Sequence, residues 1–213
     1  MKNNRTEIVF ILDRSGSMSG LESDTIGGYN SFLKQQKETE GEAIVSTVLF
    51  DNKIEVLHNR EDIRTVHEIT SKEYYARGTT ALLDAVGGAI SHIRDRQLKD
   101  EKPADHTVFV IITDGYENAS REYTYPLVKR MIEKSKADGW EFLFLGANID
   151  AAGEAQKFGI DEAKAVRFNN DAEGVALNYA SVNAAVREIR AGKTVSRSWK
   201  KDIEKDFSKR SGK

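Results

Sequence analysis

No cysteine occurs in the 213 residues, so this chain cannot build a disulfide framework, a thiolate zinc site or a cysteine nucleophile. An excess of charge of one sign is also lacking: 32 basic residues stand against 34 acidic ones, a formal net charge of -2. The totals therefore carry no nucleic-acid footprint and no acidic solubilising tail. Long apolar runs are missing too. Behind the charged segment 1–7, only Ile8-Val9-Phe10-Ile11-Leu12 precede Asp13, too few for a signal-peptide core or a membrane span. The expectation is a soluble, cytoplasmic chain with no nucleic-acid or membrane partner. No Gly-x-x-x-x-Gly-Lys-Ser/Thr loop is present, and no Gly-x-Gly-x-x-Gly follows a strand-like run, so ATPase and dinucleotide roles lack their phosphate loops. Gly16-Ser17-Met18-Ser19-Gly20 puts Met18 where a nucleophile elbow needs serine. His58, His67, His92 and His106 have no ligand spacing.

What is present is an alternation of strand-like and helix-like segments. Apolar runs at Glu7 to Leu12, Ala43 to Phe50, Lys53 to Leu57, Thr107 to Thr113, Glu141 to Gly146 and Ala165 to Phe168 read as strands. Several are apolar at successive positions, as strands covered by helices on both faces should be. Between the second and third runs, Asp51-Asn52 leaves room only for a hairpin, so one sheet edge should be antiparallel. Helical stripes appear at Ile26, Tyr29, Phe32, Leu33, at Leu82, Val86, Ile90, Ile93, at Leu127, Val128, Met131, Ile132, and at Val175, Tyr179, Val182, Val186, Ile189. The fold class is α/β: a doubly wound, mostly parallel central sheet with one antiparallel edge strand and helices on both faces. Its single domain spans 1–192.

Asp13-Arg14-Ser15-Gly16-Ser17 stands at the carboxyl end of the first strand and offers one carboxylate and two hydroxyls within a tight turn. Hard cations such as Mg²⁺ prefer such oxygens to sulfur or imidazole. The fourth strand ends in Asp114-Gly115, and Gly78-Thr79-Thr80 supplies hydroxyls just before a helix. In a doubly wound order the first strand lies beside the fourth, so Asp13 and Asp114 should meet at the ligand-binding crevice, with Thr80 arriving from an intervening loop. Taken singly, each motif also reads as an ordinary turn or cap.

Together, Asp13-x-Ser15-x-Ser17, Gly78-Thr79-Thr80-Ala81-Leu82 and Ile112-Thr113-Asp114-Gly115 resemble the three parts of the metal-ion-dependent adhesion site of von Willebrand factor A domains, over roughly residues 5 to 190. The resemblance implies a complete metal site of Asp13, Ser15, Ser17, Thr80 and Asp114. Ser15, Ser17 and Thr80 would ligate directly, and the two carboxylates directly or through water. It also implies a non-enzymatic module that captures an Asp or Glu side chain of a partner protein, in an intracellular adaptor or assembly role. Mg²⁺ is favoured, with Ca²⁺ or Mn²⁺ as substitutes. Arg77, Met18, Tyr116 and Glu117 are candidate rim residues, whereas Glu117, Asp84 and Asp51 read otherwise as solvated charges. The rival is a Mg²⁺-dependent phosphatase or phosphotransfer enzyme with Asp13 as nucleophile. The haloacid-dehalogenase pattern, however, wants a second Asp where this chain has Ser15.

The segment 193–213 differs in character, with eight Lys or Arg against three Asp or Glu. Trp199, Ile203 and Phe207 recur every fourth residue behind Ser198 as a possible N-cap, which describes a short amphipathic helix with a basic outer face. Such a segment either docks on its own domain, frays as a tail or binds a partner.

Overall fold

The computed structural model describes residues 5–210, so the outer ends of the 1–192 and 193–213 segments lie outside the described residues. Strands β1 (Arg5–Asp13), β2 (Glu42–Phe50), β3 (Ile54–Asp62), β4 (His106–Thr113), β5 (Glu141–Ala147) and β6 (Ala165–Phe168) form one sheet, ordered β3-β2-β1-β4-β5-β6. Every neighbouring pair is parallel except β2 with β3. The doubly wound, Rossmann-like order expected from the sequence is therefore the observed one, antiparallel edge included.

Helices α1 (Glu22–Lys37), α5 (Ala172–Arg190) and α6 (Lys201–Arg210) cover one face, and α2 (Leu82–Lys99), α3 (Tyr125–Ala137) and α4 (Ala151–Lys157) the other. Because both faces are covered, β1 is buried at each position from Thr6 to Asp13. Ile8, Phe10 and Leu12 pack among α1 and α5 residues, whereas Val9 and Ile11 pack among those of α2. Helix α4 has no long apolar stripe to announce it. It is one short element started by Asp150, whose carboxylate accepts the Gly153 amide at 3.0 Å.

Strand β3 runs past the apolar stretch into His58-Asn59-Arg60-Glu61-Asp62, and Lys53 sits in the turn rather than the strand. Paired charge, not apolar burial, stabilises this extension. Arg60 grips buried Glu7 through two hydrogen bonds of 2.6 and 3.1 Å and reaches Asp100 at 2.9 Å. Trp199 and Ile203 are buried, and Phe207 lies under the Arg167 guanidinium, 4.8 Å from it. The Trp199 indole donates to the Ala163 carbonyl at 2.9 Å, and Lys200 Nζ donates to that of Ala165 at 2.8 Å. Helix α6 thus covers the β6 edge of the sheet.

His58 is buried beside Tyr29, with Nδ1 3.0 Å from the Thr47 hydroxyl. Burial pushes its pKa below the ordinary 6.5, against the opposing pull of Glu61. The folded imidazole stays neutral where the unfolded one takes a proton, so stability is lost as pH falls below 6.5. Urea unfolding of wild type and His58→Gln between pH 7.5 and 5.5 should show the variant losing less stability over that interval. Parallel losses would mean His58 does not titrate across folding.

Candidate metal centre

The parallel register of β1 with β4 aligns Leu12 with Ile112, which brings the two strand ends side by side. Asp13 is 1 % exposed there. One carboxylate oxygen accepts the Ser15 amide at 2.7 Å and the other the Thr113 hydroxyl at 2.6 Å, while the Asp13 carbonyl accepts the Tyr74 hydroxyl. Beyond Ser15 the chain makes a single 3-10 turn, Gly16–Met18, that pins Met18 in the core and leaves Ser17 exposed. The Ser15 and Ser17 hydroxyls lie 2.9 Å apart, and that of Ser17 donates to Asp114. A Cβ on Gly115 would stand 3.1 Å from Thr80 Oγ1 and 3.3 Å from Ser17 Oγ, so the missing side chain leaves open the point where those hydroxyls converge. Asp13, Ser15, Ser17, Thr80 and Asp114 are thereby brought together.

Thr80 arrives on residues 63–81, a long segment without helix or strand. Ile63, Val66, Ile69 and Tyr74 bury its apolar side chains, and Asn30 pairs with the Ile69 main chain through two bonds of 2.9 Å. Gly78 has φ +68°, and a Cβ there would meet the Asn52 side chain at 2.2 Å, so the turn needs glycine. Asn118 then clamps Thr80 itself: its side-chain oxygen accepts the Thr80 amide at 2.9 Å and its amide donates to the Thr80 carbonyl at 3.0 Å.

Most of the expected rim proves to be scaffold. Met18 is 1 % exposed and part of the core, and only Tyr116, half exposed, fits the role of an open rim residue. Glu117 accepts the amides of Leu83, Ala119 and Ser120 at 2.7–2.8 Å, acting as the cap that α2 lacks at its own N-cap, Ala81. Asp84 returns the contact by accepting the amides of Arg121, Glu122 and Tyr123 at 2.8–2.9 Å. Asp51 is wholly buried between Arg14 and Arg77. Burial works to raise its pKa, but hydrogen bonds from Arg77 and the Lys53 amide, with the charges of Arg77 and Arg14, hold it below the ordinary carboxylate value. These three carboxylates are structural, not solvated. Tyr74 and Asn118 position the site without any sequence signal for that role, and Thr113, inside the third motif, does so through its hydroxyl. Asn170, from the β6–α5 loop, lies 3.4 Å from Asp114 and has a buried side-chain oxygen with no hydrogen-bond partner.

Asp13 and Asp114, 1 % and 4 % exposed, form no ion pair among the described residues. Burial pushes Asp13 up to about 6 despite the bonds from Thr113 and Ser15, and raises Asp114 as well. Buried carboxylates are ordinarily paired or coordinated. The groups facing these two are neutral, the hydroxyls of Thr113 and Ser17, the Ser15 amide and the Asn170 side-chain amide, and no cluster of three or more His, Cys, Asp or Glu able to hold a metal occurs among the described residues. Two carboxylates and three hydroxyls suit a hard divalent cation and poorly suit a soft one.

The model of the von Willebrand factor type A domain family matches residues 7–189. Among solved structures, the pilus adhesin SpaC of Lactobacillus rhamnosus GG in an open conformation is similar with a TM-score of 0.66 at 12% identity, over 86% of this chain and 30% of that one. Proximal thread matrix protein 1 from the mussel byssus, with a zinc-occupied MIDAS motif, gives 0.59 at 16% identity over 86% and 46%. The manganese-loaded TRAP protein of Plasmodium vivax gives 0.53 at 19% over 68% and 58%. At such identities the likeness is one of fold, and this chain spans under half of the mussel protein. No curated protein matches.

Glu117→Ala should lower the unfolding free energy in urea by about 1–3 kcal/mol, because three buried or part-buried amides lose their acceptor. It should also speed amide exchange at Leu83. A change of only a few tenths of a kcal/mol would return Glu117 to the solvated rim.

Proposed function

The chain belongs to the von Willebrand factor type A domain family, and from that premise we propose that Asp13, Ser15, Ser17, Thr80 and Asp114 form a complete metal-ion-dependent adhesion site. The observation that carries this reading is the pair of buried carboxylates with no basic partner among the described residues, met instead by neutral hydroxyl and amide groups. Ser15, Ser17 and Thr80 would hold the cation through neutral oxygens, with Asp13 and Asp114 contributing the charge. A bound Mg²⁺ would supply a coordination position open to an additional anionic oxygen. The function is then recognition: a partner protein presents an Asp or Glu carboxylate, and Tyr116 together with exposed Thr79 and Ser17 meets the surface around it. The metal-loaded neighbours support a divalent ion at such a site, and the pilus adhesin supports a role in binding.

The phosphatase alternative is disfavoured by geometry. As a nucleophile Asp13 would have to reach a phosphate directly, yet the residue is 1 % exposed. We further propose an intracellular adaptor or assembly role. No described helix is long and apolar enough to cross a membrane.

Calorimetry should show saturable Mg²⁺ binding by the wild type and none by the double variant Asp13→Asn with Asp114→Asn. Because those carboxylates are unpaired and buried, the variant without metal should melt no lower than wild type at pH 7.5, as followed by circular dichroism. Binding retained in the folded double variant would sink the site assignment. A candidate partner recovered with Mg²⁺ and equally with EDTA would sink the carboxylate-capture reading.

A further inference from the structure

The turn between β2 and β3 carries a carboxylate that touches none of the five oxygen donors, yet joins the loops that bear them. Asp51 Oδ2 accepts Arg14 Nε at 3.0 Å and Arg77 Nε at 2.7 Å, and Oδ1 accepts the Lys53 amide at 2.7 Å. Its main-chain carbonyl accepts the amide of Ala81, the residue after Thr80, at 2.9 Å. Arg14 lies between Asp13 and Ser15, and Arg77 three residues before Thr80. The two loops also meet directly, the Arg77 amide donating to the Arg14 carbonyl at 2.8 Å and that of Gly16 to Gly78 at 3.1 Å. One buried group therefore ties the Ser15–Ser17 turn to the Thr80 loop from behind.

The charges at this junction matter as much as the bonds. Arg14 is 1 % exposed and sits inside the very motif that offers oxygens to a cation. An unbalanced guanidinium there would oppose a divalent ion at close range through a low-dielectric interior. Its side chain turns away from Asp13 instead, toward Asp51, the Glu73 carbonyl at 3.1 Å and Glu55, whose oxygen is 2.8 Å from Nη2. That last contact is an ion pair without a directed hydrogen bond, so Asp51 is the carboxylate that, with the Glu73 carbonyl, fixes the direction of the Arg14 side chain.

We propose that Asp51 is a positioning residue of the metal site: it sets the spacing of the Ser15 and Ser17 hydroxyls from that of Thr80 and neutralises Arg14 beside them, so cation affinity depends on a carboxylate that never ligates. This inference rests on the metal-site reading above. Groups that orient metal ligands from outside the coordination shell typically change affinity by about 10–100-fold when removed, and Asp51→Asn should weaken Mg²⁺ binding by that order. Arg77→Ala, at a part-exposed residue that the fold tolerates losing more easily, should weaken it in the same direction. Combining the two changes should cost less than the product of the separate effects, since both break one clamp.

Arg60→Gln is the control, since it breaks the comparable ion cluster with Glu7 and Asp100 at the opposite end of the sheet. It should lower stability in urea while leaving Mg²⁺ affinity unchanged. Magnesium calorimetry on the full chain, with metal-free urea unfolding and amide exchange at Gly16 and Ala81, decides the matter. Folded Asp51→Asn that binds as tightly as wild type, or Arg60→Gln that weakens binding as much, would overturn the proposal while leaving the metal site intact. If Asp51→Asn fails to fold, unchanged affinity in Arg77→Ala overturns it. A wild type that binds no Mg²⁺ would instead overturn the metal-site reading, and this inference with it.

Discussion

A carboxylate that is 1 % exposed and has no basic partner among the described residues costs free energy wherever it sits, and the carboxyl end of this sheet is arranged around that cost at Asp13. The Ser15 amide and the Thr113 hydroxyl each meet one oxygen, and Tyr74 fixes the backbone behind them. The other end of the same strand solves a similar problem differently. Glu7 is also fully buried, but Arg60 grips it with two hydrogen bonds and Gln97 adds another at 2.7 Å. One strand therefore has a neutralised end and an end left short of positive charge. Only the second invites a cation, and it is the end where the loops converge.

The architecture was readable because both faces of the sheet are covered. Continuous apolar runs such as 107–113 can then mean only buried strands, and the short link after Phe50 can mean only a hairpin. The polar half of β3 and helix α4 were hidden for the same reason in reverse, since charge pairs and a single cap, not apolar periodicity, stabilise them. At the site, strand order places Asp13 beside Asp114, and the family resemblance supplies Ser15, Ser17 and Thr80 as the rest of the set. What surrounds them could not be read in either way. Nothing in the sequence distinguishes a carboxylate that accepts three amides, as Glu117 and Asp84 do, from one that faces water. Met18 likewise sits inside a loop motif but faces the core, a direction set by the 3-10 turn that follows Ser15.

The carboxylates around the site divide labour by their partners. Asp51 is matched to two arginines, Glu117 and Asp84 to backbone amides, and Asp13 and Asp114 to hydroxyls, one backbone amide and one side-chain amide. Guanidinium partners lock a loop most firmly and leave no charge to spare. Amide partners lock a helix start or a turn. Hydroxyl partners are the most easily exchanged, because they can turn from donating to a carboxylate to offering a lone pair elsewhere. The bonding partners are thus graded around the site, from guanidinium groups beneath it to hydroxyls at its opening.

The central place of β1 in the sheet also shapes how the chain is made. Its parallel partner β4 pairs Thr6 with His106, a separation of 100 residues, which a ribosome takes on the order of 5–20 s to synthesise. Strand β2 can cover one side of β1 early, but the other side keeps a row of unpaired amides and carbonyls along the apolar run Ile8 to Leu12 until β4 emerges. An open edge of that kind is a template for pairing with other chains. The topology that brings Asp13 beside Asp114 therefore leaves the half-synthesised protein with an open strand edge until β4, His106–Thr113, has been made.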